Sequence, residues 1–156
     1  MPKGKRRRRG KPPANKGKQL PSERLTVDEV HRLLRACSRR SATGIRLAAM
    51  LALGWRAGLR AAEVLSLRPG DVDSERGMVR VLRPKGGPKR ARTVGVAPDC
   101  LPYLDRWLDV RRRLGVGPTA PLFCGIRGPG RGHPMATAYL RQALPRLGRR
   151  AGITKR

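Results

Sequence analysis

Acidic residues are scarce in this chain. Ten Asp and Glu stand against 37 Lys and Arg, a net charge of +27 over 156 residues. A compact body with that charge repels itself unless a polyanion neutralises it. Nucleic acid fits, because each phosphate met by Lys or Arg releases a counterion. Aromatic residues are scarce too: two Trp, two Tyr and one Phe. The core must therefore come mainly from Leu, Val and Ala, which suffices for a modest single domain. The three cysteines, Cys37, Cys100 and Cys124, are far apart and form no C-x-x-C pair, which argues against a disulfide framework or a zinc site. Long apolar runs are missing. None reaches the roughly 18 residues of a membrane span, and the N-terminus has no secretory apolar stretch. The expectation from composition is a cytoplasmic chain that binds nucleic acid, without a membrane span and without a zinc site.

Residues 1–24 read as a separate basic tail. Nine Lys or Arg and no acid fall within residues 1–18, and such a stretch buries too little surface to fold alone. It can serve as an arm that adds non-specific DNA affinity. Folded structure is expected to begin at Leu25. Thr26 and Glu29 have capping-box spacing, and Leu25 and Val30 are placed for a hydrophobic staple. Val30, Leu33, Leu34 and Cys37 then give one apolar stripe, predicting a helix over Val27 to Arg39. Ile45 to Trp55 is nearly apolar all round, as in a central buried helix. Gly58 supplies a stop. A short third helix runs from Arg60 to Leu67 and ends at Pro69-Gly70.

The periodicity then changes. Met78, Val79, Val81 and Leu82 read as a strand, Pro84 to Lys89 as a glycine-rich turn, and Thr93, Val94 and Val96 as the return strand. Pro98 opens a helix carrying Leu101, Leu104, Trp107 and Leu108. Residues 115–134 are a Gly/Pro-rich loop with Leu122-Phe123 as an anchor. A last amphipathic helix covers Met135 to Arg150, with a kink or break expected at Pro145. The fold class is thus α+β, mainly α-helical with a small antiparallel β-hairpin or sheet.

Several segments, in this order, carry a family resemblance. They are Leu25-Thr26-Val27-Asp28-Glu29-Val30, Ala57-Gly58-Leu59-Arg60-Ala61-Ala62-Glu63-Val64-Leu65-Ser66-Leu67, Asp71-Val72-Asp73, the run Arg83 to Val94, Pro121-Leu122-Phe123, and Leu147 to Ile153. The series resembles the first part of the catalytic domain of tyrosine recombinases of the phage-integrase type, over residues 25–156. The resemblance implies a nucleoid-associated chain for site-specific recombination or integration of double-stranded DNA, without a metal or other cofactor. In that chemistry a tyrosine hydroxyl attacks a DNA phosphate, giving a 3′-phosphotyrosyl link and a free 5′-hydroxyl. Fixed protein cations meet the charge of the transition state, and the planar fork of arginine suits two phosphate oxygens.

By this resemblance Arg60 is the first catalytic arginine and Glu63 a carboxylate that supports it from one helical turn away. Lys85 corresponds to the lysine that protonates the departing 5′-oxygen, a role suited to an amine whose pKa can fall in a cation-rich site. Arg83, Lys89, Arg90 and Arg92 are expected to contact backbone phosphates, which position DNA without reading sequence.

The family pattern continues with a His-x-x-Arg pair and a tyrosine nucleophile after the Ala-Gly-Ile segment. In this chain His31 is followed at the third position by Leu34 and His133 by Ala136, while Tyr103 and Tyr139 both precede the nucleophile's place. The resemblance therefore leads us to expect a truncated catalytic domain that does not cleave DNA alone, and that self-associates or pairs with other recombinase subunits. A non-catalytic basic DNA-binding protein is the alternative, with an RNA-binding protein third.

Overall fold

The computed structural model describes residues 23–84 and 87–155. The basic tail expected over 1–24 lies, except for its last two residues, outside the described residues.

The described residues form five α-helices and a small antiparallel sheet. Helix α1 spans Val27–Ala36. The Thr26 hydroxyl accepts from the Glu29 N–H at 3.2 Å while the Thr26 N–H donates to the Glu29 carboxylate at 2.7 Å, so the capping box closes from both sides. The helix ends earlier than Arg39 because Cys37 turns to an extended conformation. Ser38 then caps the turn: its hydroxyl accepts from the N–H of Ser41. Helix α2, Ala42–Arg56, is the central one. Ala49, Met50, Ala52 and Leu53 are fully enclosed. Gly58, at φ 62°, takes the left-handed position after its end. Helix α3 is short, Ala61–Ser66, and Arg60 is its N-cap residue rather than its first turn.

A 3-10 turn at Pro69–Asp71 leads into the sheet. Strands β1 (Val72–Asp73), β2 (Met78–Val81) and β3 (Arg92–Gly95) form an antiparallel meander. The two-residue β1 extends the expected hairpin to a three-stranded sheet. Register places Val79 opposite Val94 and Val81 opposite Arg92. Directly opposed residues share a face, so Arg92 lies on the inward face with Val79 and Val81, both fully buried.

A 3-10 turn at Pro98–Cys100 opens helix α4, Leu101–Arg113, which packs along α2. Trp107 of α4 stacks on Phe123, with ring centroids 6.3 Å apart, and donates its indole N–H to the Leu122 carbonyl at 2.9 Å. The Leu122 N–H in turn donates to the Leu67 carbonyl at 2.7 Å. The Leu122-Phe123 anchor is therefore the piece that joins α4 to the end of α3. Helix α5, Thr137–Arg150, runs through Pro145 as one element. Pro145 and Arg141 are both exposed, so the Arg141 carbonyl that loses its partner faces solvent and water can satisfy it. Arg32 of α1 donates to the Ala151 and Gly152 carbonyls at 3.3 Å each. Lys155 donates to the Arg24 carbonyl and pairs with Glu29. These contacts tie the end of α5 back to α1.

Two arginines are inside the fold. Arg111 donates to the carbonyls of Val116, Gly117, Ala120 and Pro121. Arg46 donates to the Cys124 carbonyl and sits 5.0 Å from the Tyr139 ring centroid. Both guanidinium groups satisfy carbonyls of the 115–134 loop that regular structure leaves open. The three cysteines are free and buried. Burial pushes the Cys37 thiol up to about 11, and burial next to Asp99 pushes Cys100 up to about 12. Leu25, Leu33, Leu51, Leu144 and Ile153 line an open apolar groove between α1, α2 and α5. No helix among the described residues is long and apolar enough to cross a membrane.

The close approach at Gly125 gives a stability test. A Cβ there would lie 2.0 Å from the Gly130 carbonyl oxygen, a backbone atom, whereas one at Gly117 meets nothing within 4 Å. Gly125→Ala is expected to lose about 1–3 kcal/mol in urea unfolding, as forced overpacking does. Gly117→Ala is expected to stay within about 0.5 kcal/mol.

Candidate nucleic-acid interface

The site is built around a buried carboxylate. Glu63 has 1% of its side chain exposed. Three groups meet it. The Arg60 backbone N–H donates to Oε2 at 3.0 Å. The Arg92 guanidinium forks onto it, Nη1 to Oε1 at 3.2 Å and Nη2 to Oε2 at 3.0 Å. The Arg60 guanidinium stands further off, Nη1 to Oε1 at 3.5 Å. The three-residue spacing of Arg60 and Glu63 thus has a local purpose. The carboxylate at the third helical position satisfies the N–H of the N-cap residue, one half of a capping box. Arginine has no acceptor to supply the other half. Glu63 also has a long-range purpose, because Arg92 comes from β3, 29 residues on.

This arrangement fixes the charge state. The hydrogen bond from Arg92, then that from the Arg60 N–H, outweigh burial and hold the Glu63 carboxyl down to about 2. Arg92 is shifted the other way, held up by its bond to Glu63. The folded value lies below the ordinary 4.5. The pair's contribution to stability is therefore present above about pH 4.5 and is lost as pH falls through about 2.

The other cations are more open. The Arg60 side chain is 65% exposed, and its backbone is extended, φ −69° and ψ 151°. Gly58 and the buried Leu59 set that exit direction. Arg83 is exposed and donates to the Ser66 carbonyl at 3.1 Å, so Arg60 and Arg83 stand at opposite ends of α3, about 9 Å of helix apart. Lys89 and Arg90 are exposed on the 3-10 turn Pro88–Arg90. Lys85 lies outside the described residues. Next to it Pro84 is buried, and Gly87, at φ 92°, takes a backbone conformation that a side chain would strain. Among the described residues no group of three or more His, Cys, Asp or Glu could hold a metal ion.

A family model described as the phage integrase family matches residues 23–156. The chain belongs to the phage integrase family. It is 34% identical over 139 residues to tyrosine recombinase XerC 2 of Ralstonia nicotianae, a match covering 88% of this chain and 38% of that protein. Among solved structures it resembles XerA recombinase, with TM-score 0.67 and 26% identity, covering 85% of this chain and 44% of the other. The XerH site-specific recombinase bound to its palindromic difH substrate, in a post-cleavage complex, shares the fold at TM-score 0.66 and 23% identity, over 85% of this chain and 36% of that one. The integrase-family chain thus spans less than half the length of each of these proteins.

The expected residues fall into two groups. Arg60 and Glu63 are brought together, and Arg83 joins them through α3. Lys89 and Arg90 stand on the turn before β3. Arg92 is on the inward side, engaged by Glu63. Sequence reasoning did not find the Glu63–Arg92 contact. A signal was present: alternation from Val94 puts Arg92 on the same strand face, and an inward arginine calls for a buried carboxylate.

The two arginines at Glu63 should differ in worth. Arg92→Ala removes the forked, closer partner of a buried carboxylate and leaves it the Arg60 N–H and the longer Arg60 contact; it is expected to cost about 1.5–3 kcal/mol in urea denaturation at pH 7. Arg60→Ala removes an exposed, longer contact and should cost less than about 1 kcal/mol. Equal losses would contradict the geometry.

Proposed function

We propose that this chain binds duplex DNA and supplies the phosphate-holding cations of a site-specific strand-exchange centre. The single observation that carries the reading is the state of Arg60. It is an exposed guanidinium on a fixed N-cap, beside a carboxylate already neutralised by another arginine. A cation held in place with its charge unspent is what stabilisation of a phosphoryl transition state needs. The family membership, and the recombinase likenesses reported above, support site-specific recombination as the reaction class.

In this reading Arg60 grips the scissile phosphate with two N–H groups. Glu63 fixes the backbone from which Arg60 projects. Lys85, by the family resemblance, donates the proton to the leaving 5′-oxygen. Arg83, Lys89 and Arg90 take flanking phosphates and set the position of the duplex. The 156 residues contain no His-x-x-Arg motif. The role assigned to these cations is the phosphate-binding part of strand exchange. Residues 25–156 act as the folded unit and residues 1–24 as a basic arm adding non-specific affinity. The apolar groove between α1, α2 and α5 supports self-association or pairing with another recombinase subunit. Such a chain would work at the nucleoid.

The test is duplex binding by fluorescence anisotropy over a series of salt concentrations. The reading predicts a steep linear fall of log K with log salt. Arg60→Gln should reduce the slope by about 0.9, one phosphate contact, and the triple change R83Q/K89Q/R90Q by about 2–3. A flat salt dependence would contradict the reading. So would a tenfold preference for structured RNA at matched salt, which favours an RNA-binding protein.

A further inference from the structure

We infer that Arg92 is a positioning residue rather than a DNA contact: it consumes the charge of Glu63, pins β3 to α3, and so leaves the Arg60 guanidinium free for phosphate. The inference rests on the duplex-binding reading above and deepens it.

Three observations carry it. The first is allocation. Arg92 uses both Nη atoms on both Glu63 oxygens, at 3.2 and 3.0 Å, while Arg60 reaches one oxygen at 3.5 Å. One carboxylate carries one charge, and the closer, bidentate partner takes most of it. The second is register. Arg92 faces inward opposite Val81, and its side chain is 37% exposed against 65% for Arg60. The third is what DNA would have to undo. To reach a phosphate, Arg92 must leave a carboxylate that is 1% exposed, stranding a buried charge. Arg60 reaches a phosphate without stranding anything.

The arrangement amounts to charge separation by design of the register. Without Arg92 the cation within reach of Glu63 is Arg60. It would then fold back onto the carboxylate, and the site would lose its exposed cation. The effect of Arg92 on DNA is thus transmitted through Glu63 and Arg60, and removal of Glu63's charge should cancel it.

The experiment uses the 156-residue chain and a labelled 30-base-pair duplex, with folding checked by circular dichroism. The informative variant is E63Q/R92Q, which removes both charges and strands neither. The inference predicts that R92Q alone loses up to about 0.9 in salt slope, as Arg60 folds back onto Glu63, and that E63Q/R92Q, although it unpins β3, regains slope relative to R92Q because Arg60 is released. It also predicts that R60Q/E63Q/R92Q loses about 0.9 in slope, the same as Arg60→Gln alone. A folded E63Q/R92Q that itself loses about 0.9 overturns the inference, because Arg92 would then be a phosphate contact. A second measurement needs no variant. In nitrogen-edited NMR spectra of the unaltered chain, the Arg60 Nε–Hε signal should move on adding duplex and that of Arg92 should stay in place. Movement of both overturns the inference. A parent chain with no salt-dependent duplex binding overturns the reading beneath it, an outcome distinct from either of these.

Discussion

A carboxylate with almost no access to water sits where a three-stranded sheet meets a six-residue helix. Burying such a charge is unfavourable unless it is paired and hydrogen-bonded. Glu63 meets that condition with one backbone N–H and one forked arginine. Each partner transmits a constraint. The N–H fixes the start of α3 and the direction in which Arg60 leaves the chain. The guanidinium fixes β3, and with it the turn that carries Lys89 and Arg90. The cations of the proposed DNA face are therefore referred to one another through a single anion. In a chain with ten acids and 37 bases, spending one acid inside the fold has a clear return: it organises more positive charge than it cancels.

The basic residues divide by what they satisfy. Arg46 and Arg111 are buried and act on carbonyls of the 115–134 loop, where they replace the hydrogen bonds of regular structure. Arg32 and Lys155 clasp the end of α5 to α1. Arg92 serves a carboxylate. Net charge, read from composition, counts all of these as equal. The fold does not, and among the described residues it is exposed ones such as Arg60, Arg83, Lys89 and Arg90 that the proposed function assigns to phosphate. An excess of arginine is thus a structural resource here as well as an electrostatic one, since its five donors can close an irregular loop that a small, aromatic-poor core cannot hold by packing alone.

Much of this architecture was legible in the sequence where local chemistry decides it. The capping box at Thr26 and Glu29, the apolar run of α2 and the valine alternation of the hairpin all act within a few residues. The ordered motif series pointed to the family, which the family match bears out. Long-range pairing was not legible. Glu63 was read as a partner for the side chain of Arg60, three residues away, because helical spacing makes that contact visible. Its stronger partner is 29 residues distant and depends on sheet register. The same limit applies to Arg46, whose partner, the Cys124 carbonyl, is 78 residues on. Helix α5 was harder for another reason. Proline inside a helix predicts a break, yet the exposed position of Pro145 lets solvent take the freed carbonyl.

The organisation of this face depends on the ionisation of Glu63. A carbon-13 carboxyl titration by NMR, with glutamate labelled, reads it directly in the folded chain. The paired, hydrogen-bonded carboxylate described here predicts an apparent pKa near 2, with the Glu63 resonance unchanged down to about pH 4. A Glu63 titrating at its ordinary 4.5 would mean that Arg92 does not hold it, and the organising role assigned to this one anion would be contradicted.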